Sequence, residues 1–343
     1  MRAAVRTGVH GIRVEDVPDP VLVEPTDVIV RVVLAAVCGT DLWGYRGLGE
    51  IPPGPRAGHE FLGVVEELGN AVENFRRGQL VLAPFMWADG TCTACRKGLP
   101  TSCADGAMWG GSSDGGQGEA VRVPYADATL IALPMTAEDE RLPSVLALAD
   151  VMSTGHYAIG NAGTGPGSTV AVIGDGAVGL CAVLAARAAG AAEILLLSRH
   201  ELRARVGQKF GATETVPDRG ADAVARVREL TAGHGVDAVV DCVGTQEAMD
   251  TAVGAVRDGG TVALVGAPHA ALPGAEQVFL RNLKITGGLA PARVIIPRLI
   301  DRVLDGRIDS SPVFDLTVGL EAVPEAYRQM DNRTAIKALI RIS

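Results

Sequence analysis

Short apolar runs broken by glycine, proline and acidic residues fill the first part of the chain. DVIVRVVLAAV, FLGVVEELG, QLVLAPF and EAVRVPY are all strand-like, and up to about residue 150 they predict an irregular β-barrel or sandwich. From about residue 168 the pattern changes. β-Runs (TVAVIG, EILLLS, VDAVVDCVG, TVALVG, LKITGG) now alternate with helical periods, including a helix from about Val178 and another from Glu201. That alternation predicts a doubly wound parallel sheet, so the fold class is α/β with a β-rich domain beside it. A helix over PRLIDRVLDG after Pro297 and a final β-run, AIKALIRIS, are expected at the end. No internal repeat is visible, and the Gly-rich patch GGSSDGGQGE at 110–119 is the one low-complexity tract.

The length of 343 residues agrees with the change of pattern, because roughly one domain per 150 residues gives two. Hydrophobic residues make up 48% and charged residues 21%, a globular composition far from that of disorder. A net charge of -9 and the lack of any Lys/Arg-rich run argue against nucleic acid and anionic membrane surfaces as partners. AVGLCAVLAA (177–186), flanked by Asp175 and Arg187, is about half the ~20 residues a membrane span needs and reads as a buried helix. The opening MRAAVRTGVH has no apolar core of signal-peptide length, so export is not indicated. Six cysteines are sparse for a disulfide framework, and three of them cluster at 92, 95 and 103; a cytoplasmic protein with metal-binding thiolates fits better.

VAVIGDGAVGL places Gly174, Gly176 and Gly179 in G-x-G-x-x-G spacing, directly after a strand and at a helix start. The first glycine permits a tight turn, the second lets backbone approach a pyrophosphate, and the third allows close helix-to-strand packing, with the helix N-terminus facing the anion. The bland alternative is a structural Gly-rich turn. A site for NAD normally carries an acid about 20 residues further on, to accept hydrogen bonds from the ribose. Here LLLSRHE puts Ser198, Arg199 and His200 in that region. Arg199 would attract a 2'-phosphate and Ser198 would donate to it, which favours NADP(H) and leaves NAD(H) possible; otherwise Arg199 is a solvated surface charge.

AVCGTDLWGYRG ends an apolar strand in Cys38, which is either a small buried hydrophobe or a metal ligand. RAGHEFLGVV adds His59 at the start of another strand, and the apolar helical run LALADVMSTGHYA contains Asp150, an acid costly to bury unless paired or ligating. Thiolate, imidazole and carboxylate would neutralise Zn2+ and supply the three protein ligands of a catalytic site with its fourth position open.

Taken together, CGTDL at 38–42, GHE at 58–60, VIGDGAVG and the cysteine cluster resemble the zinc-dependent medium-chain alcohol dehydrogenases over essentially the whole chain. The resemblance implies a GroES-like catalytic domain built from residues 1–151 and 291–343, and a Rossmann dinucleotide-binding domain at 152–290. Cys38 and His59 match the first two catalytic zinc ligands, and Glu60 matches the acid just behind the metal. Asp150 matches the third ligand in a branch resembling bacterial NADP-dependent secondary-alcohol dehydrogenases. Thr40 matches the hydroxyl that bonds the substrate oxygen; where many relatives next place a histidine, this chain has Trp43. Cys92, Cys95 and Cys103 resemble the structural zinc lobe, with Asp89 where its first cysteine belongs; the alternative is a lobe without metal. Val178 falls within the glycine motif, Thr154 near the nicotinamide, and the carbonyls around Val265 and Gly266 at its carboxamide.

The implied reaction is hydride transfer between an alcohol and NADP+, reversible to ketone or aldehyde reduction, with zinc polarising the oxygen. Thr40, Trp43, Phe85, Met86, Trp109 and the 287–291 loop are pocket candidates, against the alternative of ordinary core packing for the aromatic residues. The family pairs its Rossmann sheets, so a homodimer or homotetramer is expected. Two other readings remain: a zinc-free NADPH quinone or enoyl reductase on the same fold, and a non-catalytic dinucleotide-binding protein.

Overall fold

The computed structural model describes residues 1–48, 55–111 and 113–342; Ser112 of the Gly-rich patch lies outside them. The chain divides into two compact units, one made of Met1–Asp150 with Pro291–Ser343 and the other of Val151–Ala290.

In the first unit a seven-stranded sheet is organised around Val28–Ala36. Every residue of this strand except Arg31 is buried, as its almost unbroken β-branched and small apolar sequence requires of a strand covered on both faces. Glu60–Leu68 pairs antiparallel with one edge of it, and Lys337–Arg341, from the far end of the chain, pairs antiparallel with the other. Phe314–Gly319 then runs parallel to Lys337–Arg341. Strands from the two separate stretches of sequence that make up this unit are thereby tied into one sheet.

Phe61, Phe85, Trp87 and Trp109 of this unit are buried, whereas Trp43 is half-buried. Trp109 stacks obliquely on Trp87 at 4.6 Å and edge-on to Phe61 at 5.2 Å, while its indole N–H donates to the Pro84 carbonyl at 2.8 Å. Phe85 and Trp109 are buried in this packing. The helix expected after Pro297 begins earlier, at Ala292, and runs through the proline to Leu304. An internal proline costs about 3 kcal/mol; burial of Ile295, Ile296, Leu299, Ile300 and Val303 along one face offsets it.

The second unit is a six-stranded parallel sheet in the order Glu214–Val216, Glu193–Leu197, Thr169–Ile173, Val236–Asp241, Val256–Leu264, Lys284–Gly287. The first strand in sequence therefore lies third, and the connections reverse direction between it and Val236–Asp241. Ligands of such sheets bind at this switch point, outside the carboxyl ends of the strands. Helix Ala177–Ala189 follows the first strand and packs on helix Val151–Asn161. The apolar run around Asp150 is thus two helices, Leu142–Ala147 and Val151–Asn161, with Asp150 in the turn between them. Among the described residues no helix is long and apolar enough to cross a membrane.

Gly155 sets the approach of the two packed helices, since a Cβ there would lie 2.6 Å from the Ala182 nitrogen. Gly155→Ala should lower stability by about 1–3 kcal/mol in urea titrations. Gly160→Ala, on the same helix with nothing within 4 Å of the added carbon, should be neutral or stabilising.

Candidate metal and dinucleotide sites

The register of two strands assembles the first site. Ala36 is opposite Glu60 in an antiparallel pair, so the residues just past one strand end, Cys38 and Thr40, meet His59 just before the other strand begins. Asp150 enters from its turn. The ligand-type atoms of Cys38, His59, Glu60 and Asp150 all lie within 4.8 Å of one another. Cys38 Sγ is 3.3 Å from Asp150 Oδ2, and His59 Nε2 is 3.2 Å from the same oxygen. A tetrahedral zinc with ordinary bond lengths would set such pairs about 3.4–3.6 Å apart, so the three atoms already approximate one face of its coordination shell.

Around them a second layer fixes orientation. His59 Nδ1 is 3.2 Å from Asp41 Oδ1, which leaves Nε2 turned toward the cluster. The other oxygen of Asp41 accepts from the Cys38 backbone N–H at 3.0 Å. Lys337, fully buried on the strand from the far chain end, donates to Glu60 Oε1 at 2.6 Å and to the Val37 carbonyl at 3.1 Å. Glu60 Oε2 is buried and has no hydrogen-bond partner among the described residues. The Thr40 hydroxyl lies 3.8 Å from Cys38 Sγ on an exposed residue, open to a substrate.

The electrostatics describe a buried cluster of competing charges. Burial and then the Asp150 carboxylate push the Cys38 thiol up to about 11, and burial also raises Glu60 although Lys337 pulls it down. For His59 burial works toward the neutral form, but Asp41 and then Cys38 outweigh it and hold the imidazole well above its ordinary range. A divalent ion would relieve this competition, deprotonating the thiol outright and adding positive charge beside the carboxylates. The donor set therefore fits zinc.

A second cluster is formed by Asp89, Cys92, Cys95 and Cys103, again with ligand atoms within 4.8 Å. Cys92 and Cys103 sulfurs are 3.8 Å apart, the edge of a tetrahedron with metal–sulfur bonds of about 2.3 Å. Backbone N–H groups of Cys92 and then Thr91 hold the Asp89 carboxyl well below the usual range, at 3.1 and 2.9 Å. Burial, then Asp89, push Cys95 up to about 12. All six cysteines are free thiols.

In the second unit the three glycines behave differently from one another. Gly174 has φ +107°, reached readily only without a side chain. A Cβ on Gly179 would lie 1.9 Å from the Gly174 carbonyl oxygen, whereas one on Gly176 would meet nothing within 4 Å. The tight turn and close packing are thus intrinsic, and the open space at Gly176 is a cradle for a group from outside, at the start of helix Ala177–Ala189 and beside Val178. Ser198 is buried at the next strand end and Arg199 exposed beside it. Val265 and Gly266 follow strand Val256–Leu264 and use their N–H groups on the Asp241 carbonyl at 3.0 and 2.9 Å. Thr154 is buried in helix Val151–Asn161.

Three participants escaped the sequence reading. Asp41 was visible as the acid of CGTDL but had no assigned partner. Lys337 carries no local signal, since 277 residues separate it from Glu60. Asp175, inside the glycine motif itself, accepts hydrogen bonds from across the turn.

Residues 24–135 match the family model of the alcohol dehydrogenase GroES-like domain, and residues 177–305 that of the zinc-binding dehydrogenase. The chain is 35% identical over 332 residues to a "probable zinc-binding alcohol dehydrogenase" of Mycobacterium tuberculosis, covering 95% of this chain and 84% of that one. It is similar to the crystallised alcohol dehydrogenase TADH of Thermus sp. ATN1, with TM-score 0.92, 33% identity and 100% of both chains covered. A zinc-binding dehydrogenase structure from Sinorhizobium meliloti, bound to NADP, matches with TM-score 0.85 and 27% identity over 99% of this chain and 98% of that one.

Lys337→Met should cost about 3–5 kcal/mol in chemical denaturation, because it strands a buried carboxyl. Adding Glu60→Gln should recover most of that loss; a single-mutant cost below about 1 kcal/mol would show that the pair is not desolvated as described.

Proposed function

Because the chain belongs to the zinc-dependent medium-chain alcohol dehydrogenase family, and is on that ground an alcohol oxidoreductase, we propose that it interconverts apolar secondary alcohols and ketones with NADP(H). The observation that carries this reading is the convergence of Cys38, His59 and Asp150 at 3.2–3.3 Å around a buried, partly orphaned Glu60.

In this reading Cys38, His59 and Asp150 hold the catalytic ion, and Asp89, Cys92, Cys95 and Cys103 hold a structural one. Zinc so held supplies Lewis-acid polarisation of the substrate oxygen, and the nicotinamide supplies the hydride acceptor. Asp41 keeps His59 in the tautomer that ligates through Nε2. Thr40 Oγ1 accepts a hydrogen bond from the alcohol and passes its proton toward solvent. Lys337 holds Glu60 Oε1, which lies 4.0 Å from His59 Nε2, and leaves Oε2 without a hydrogen-bond partner among the described residues.

On the cofactor side, Gly174, Gly176, Val178 and Gly179 embrace the pyrophosphate at the helix start. Thr154 lies against the nicotinamide, and the carbonyls of Val265 and Gly266 accept from its carboxamide. Ser198 and Arg199 bind the 2'-phosphate, supported by the exposure of Arg199 and by the NADP bound in the Sinorhizobium protein. Residues 1–151 with 291–343 act as the catalytic domain and 152–290 as the dinucleotide domain, in a cytoplasmic homodimer or homotetramer.

Elemental analysis should give two zinc ions per chain, falling to one in Asp150→Ala. NADPH-dependent ketone reduction should fall by more than about 100-fold in that variant, equivalent to about 3 kcal/mol of transition-state stabilisation. Unchanged zinc and activity would remove Asp150 from the site and favour the zinc-free reductase. Arg199→Ala should raise the KM for NADPH about tenfold and leave that for NADH nearly unchanged.

A further inference from the structure

The glycine turn contains a charge that phosphate binding does not explain. Strands Thr169–Ile173 and Glu193–Leu197 lie side by side in parallel, with Ile173 opposite Leu197, so their next residues leave the sheet together. Ser198 Oγ donates to Asp175 Oδ2 at 2.8 Å, and His200 Nδ1 lies 2.7 Å from the same oxygen. Arg203 Nη1 reaches Asp175 Oδ1 at 3.5 Å. The Asp175 side chain is only 12% exposed. Arg199, by contrast, is exposed, with no hydrogen bond or ion pair among the described residues.

In a dinucleotide fold this corner receives the adenosine ribose, and an acid at the end of the second strand accepts its hydroxyl hydrogen bonds. This chain has no acid at that strand end. Asp175 brings a carboxylate to the same corner from the first strand's turn. The corner therefore holds both halves of a cofactor selector: an anion, and three donors or cations that the anion already engages.

We propose that Asp175 tempers cofactor preference, serving as ribose-hydroxyl acceptor for NAD(H) and as an internal rival to the 2'-phosphate of NADP(H). A phosphate entering the corner meets a like charge and must take Ser198 and His200 away from it. The unphosphorylated ribose meets an acceptor already oriented by Ser198, His200 and Arg203. The inference rests on the reading that the cofactor lies on this turn, and it makes the NADP(H) preference conferred by Arg199 a restrained one.

The test is titration of NADPH and NADH into the zinc-loaded protein, followed by nicotinamide fluorescence, together with steady-state kinetics for both cofactors. Asp175→Asn preserves shape and the ability to accept from Ser198 while removing the charge. It should tighten NADPH and weaken NADH, changing the ratio of dissociation constants by about tenfold or more. Asp175→Ser provides the same readout if the amide disturbs the turn. A ratio within about twofold of the wild type, or equal weakening of both cofactors, would overturn the proposal and leave Asp175 a structural brace. Arg199→Ala run in parallel separates the two claims. If it leaves NADPH affinity unchanged, the 2'-phosphate assignment fails, while the response of NADH to Asp175→Asn still decides the role of Asp175.

Discussion

Burying three carboxyl groups and a thiol in one small volume is the constraint on which the first unit is built. Each buried charge costs several kcal/mol unless a partner of opposite sign is supplied, and here Cys38, Glu60, Asp150 and Asp41 surround a single imidazole. Two compensating charges are internal: the His59 imidazole, which Asp41 holds toward its charged form, and Lys337, which pairs with Glu60 Oε1. The remainder of the imbalance faces the centre of the cluster, where a divalent cation would settle it. This also gives a reason for the topology. The strand carrying Lys337 comes from the far end of the chain and must pair beside Val28–Ala36 before that compensation exists.

The second unit handles anions by the opposite means. Its strand ends offer backbone and open space more than side-chain charge: a left-handed glycine at 174, a vacant approach at Gly176 and a helix start behind them. Side-chain charge returns at the edge of that turn, where Asp175 meets Ser198, His200 and Arg203. In the proposed reading, dinucleotide recognition is divided between a permissive backbone cradle and a charged corner that discriminates between cofactors.

The broad architecture was legible because period-2 and period-3.6 patterns are local, and they separated a β-rich part from an alternating α/β part. Cys38 and His59 could be set side by side because both sit at strand ends, and Asp150 was conspicuous as an acid in an apolar run. What escaped the sequence depends on distant pairing. Nothing near Lys337 announces Glu60, and nothing in GDG shows that its acid will be held by the next strand end. The helix through Pro297 defeats a local rule because tertiary burial outweighs it. Trp109 packs obliquely on Trp87 and edge-on to Phe61 with its indole hydrogen-bonded, a burial that its sequence neighbours do not announce.

Diffraction from crystals of the purified protein, recorded just above and just below the zinc absorption edge, tests the central claim most directly. The account predicts an edge-dependent anomalous peak about 2.0–2.3 Å from Cys38 Sγ, His59 Nε2 and an Asp150 oxygen. In zinc-replete crystals, no such peak at that position, or one ligated without Asp150, would contradict it.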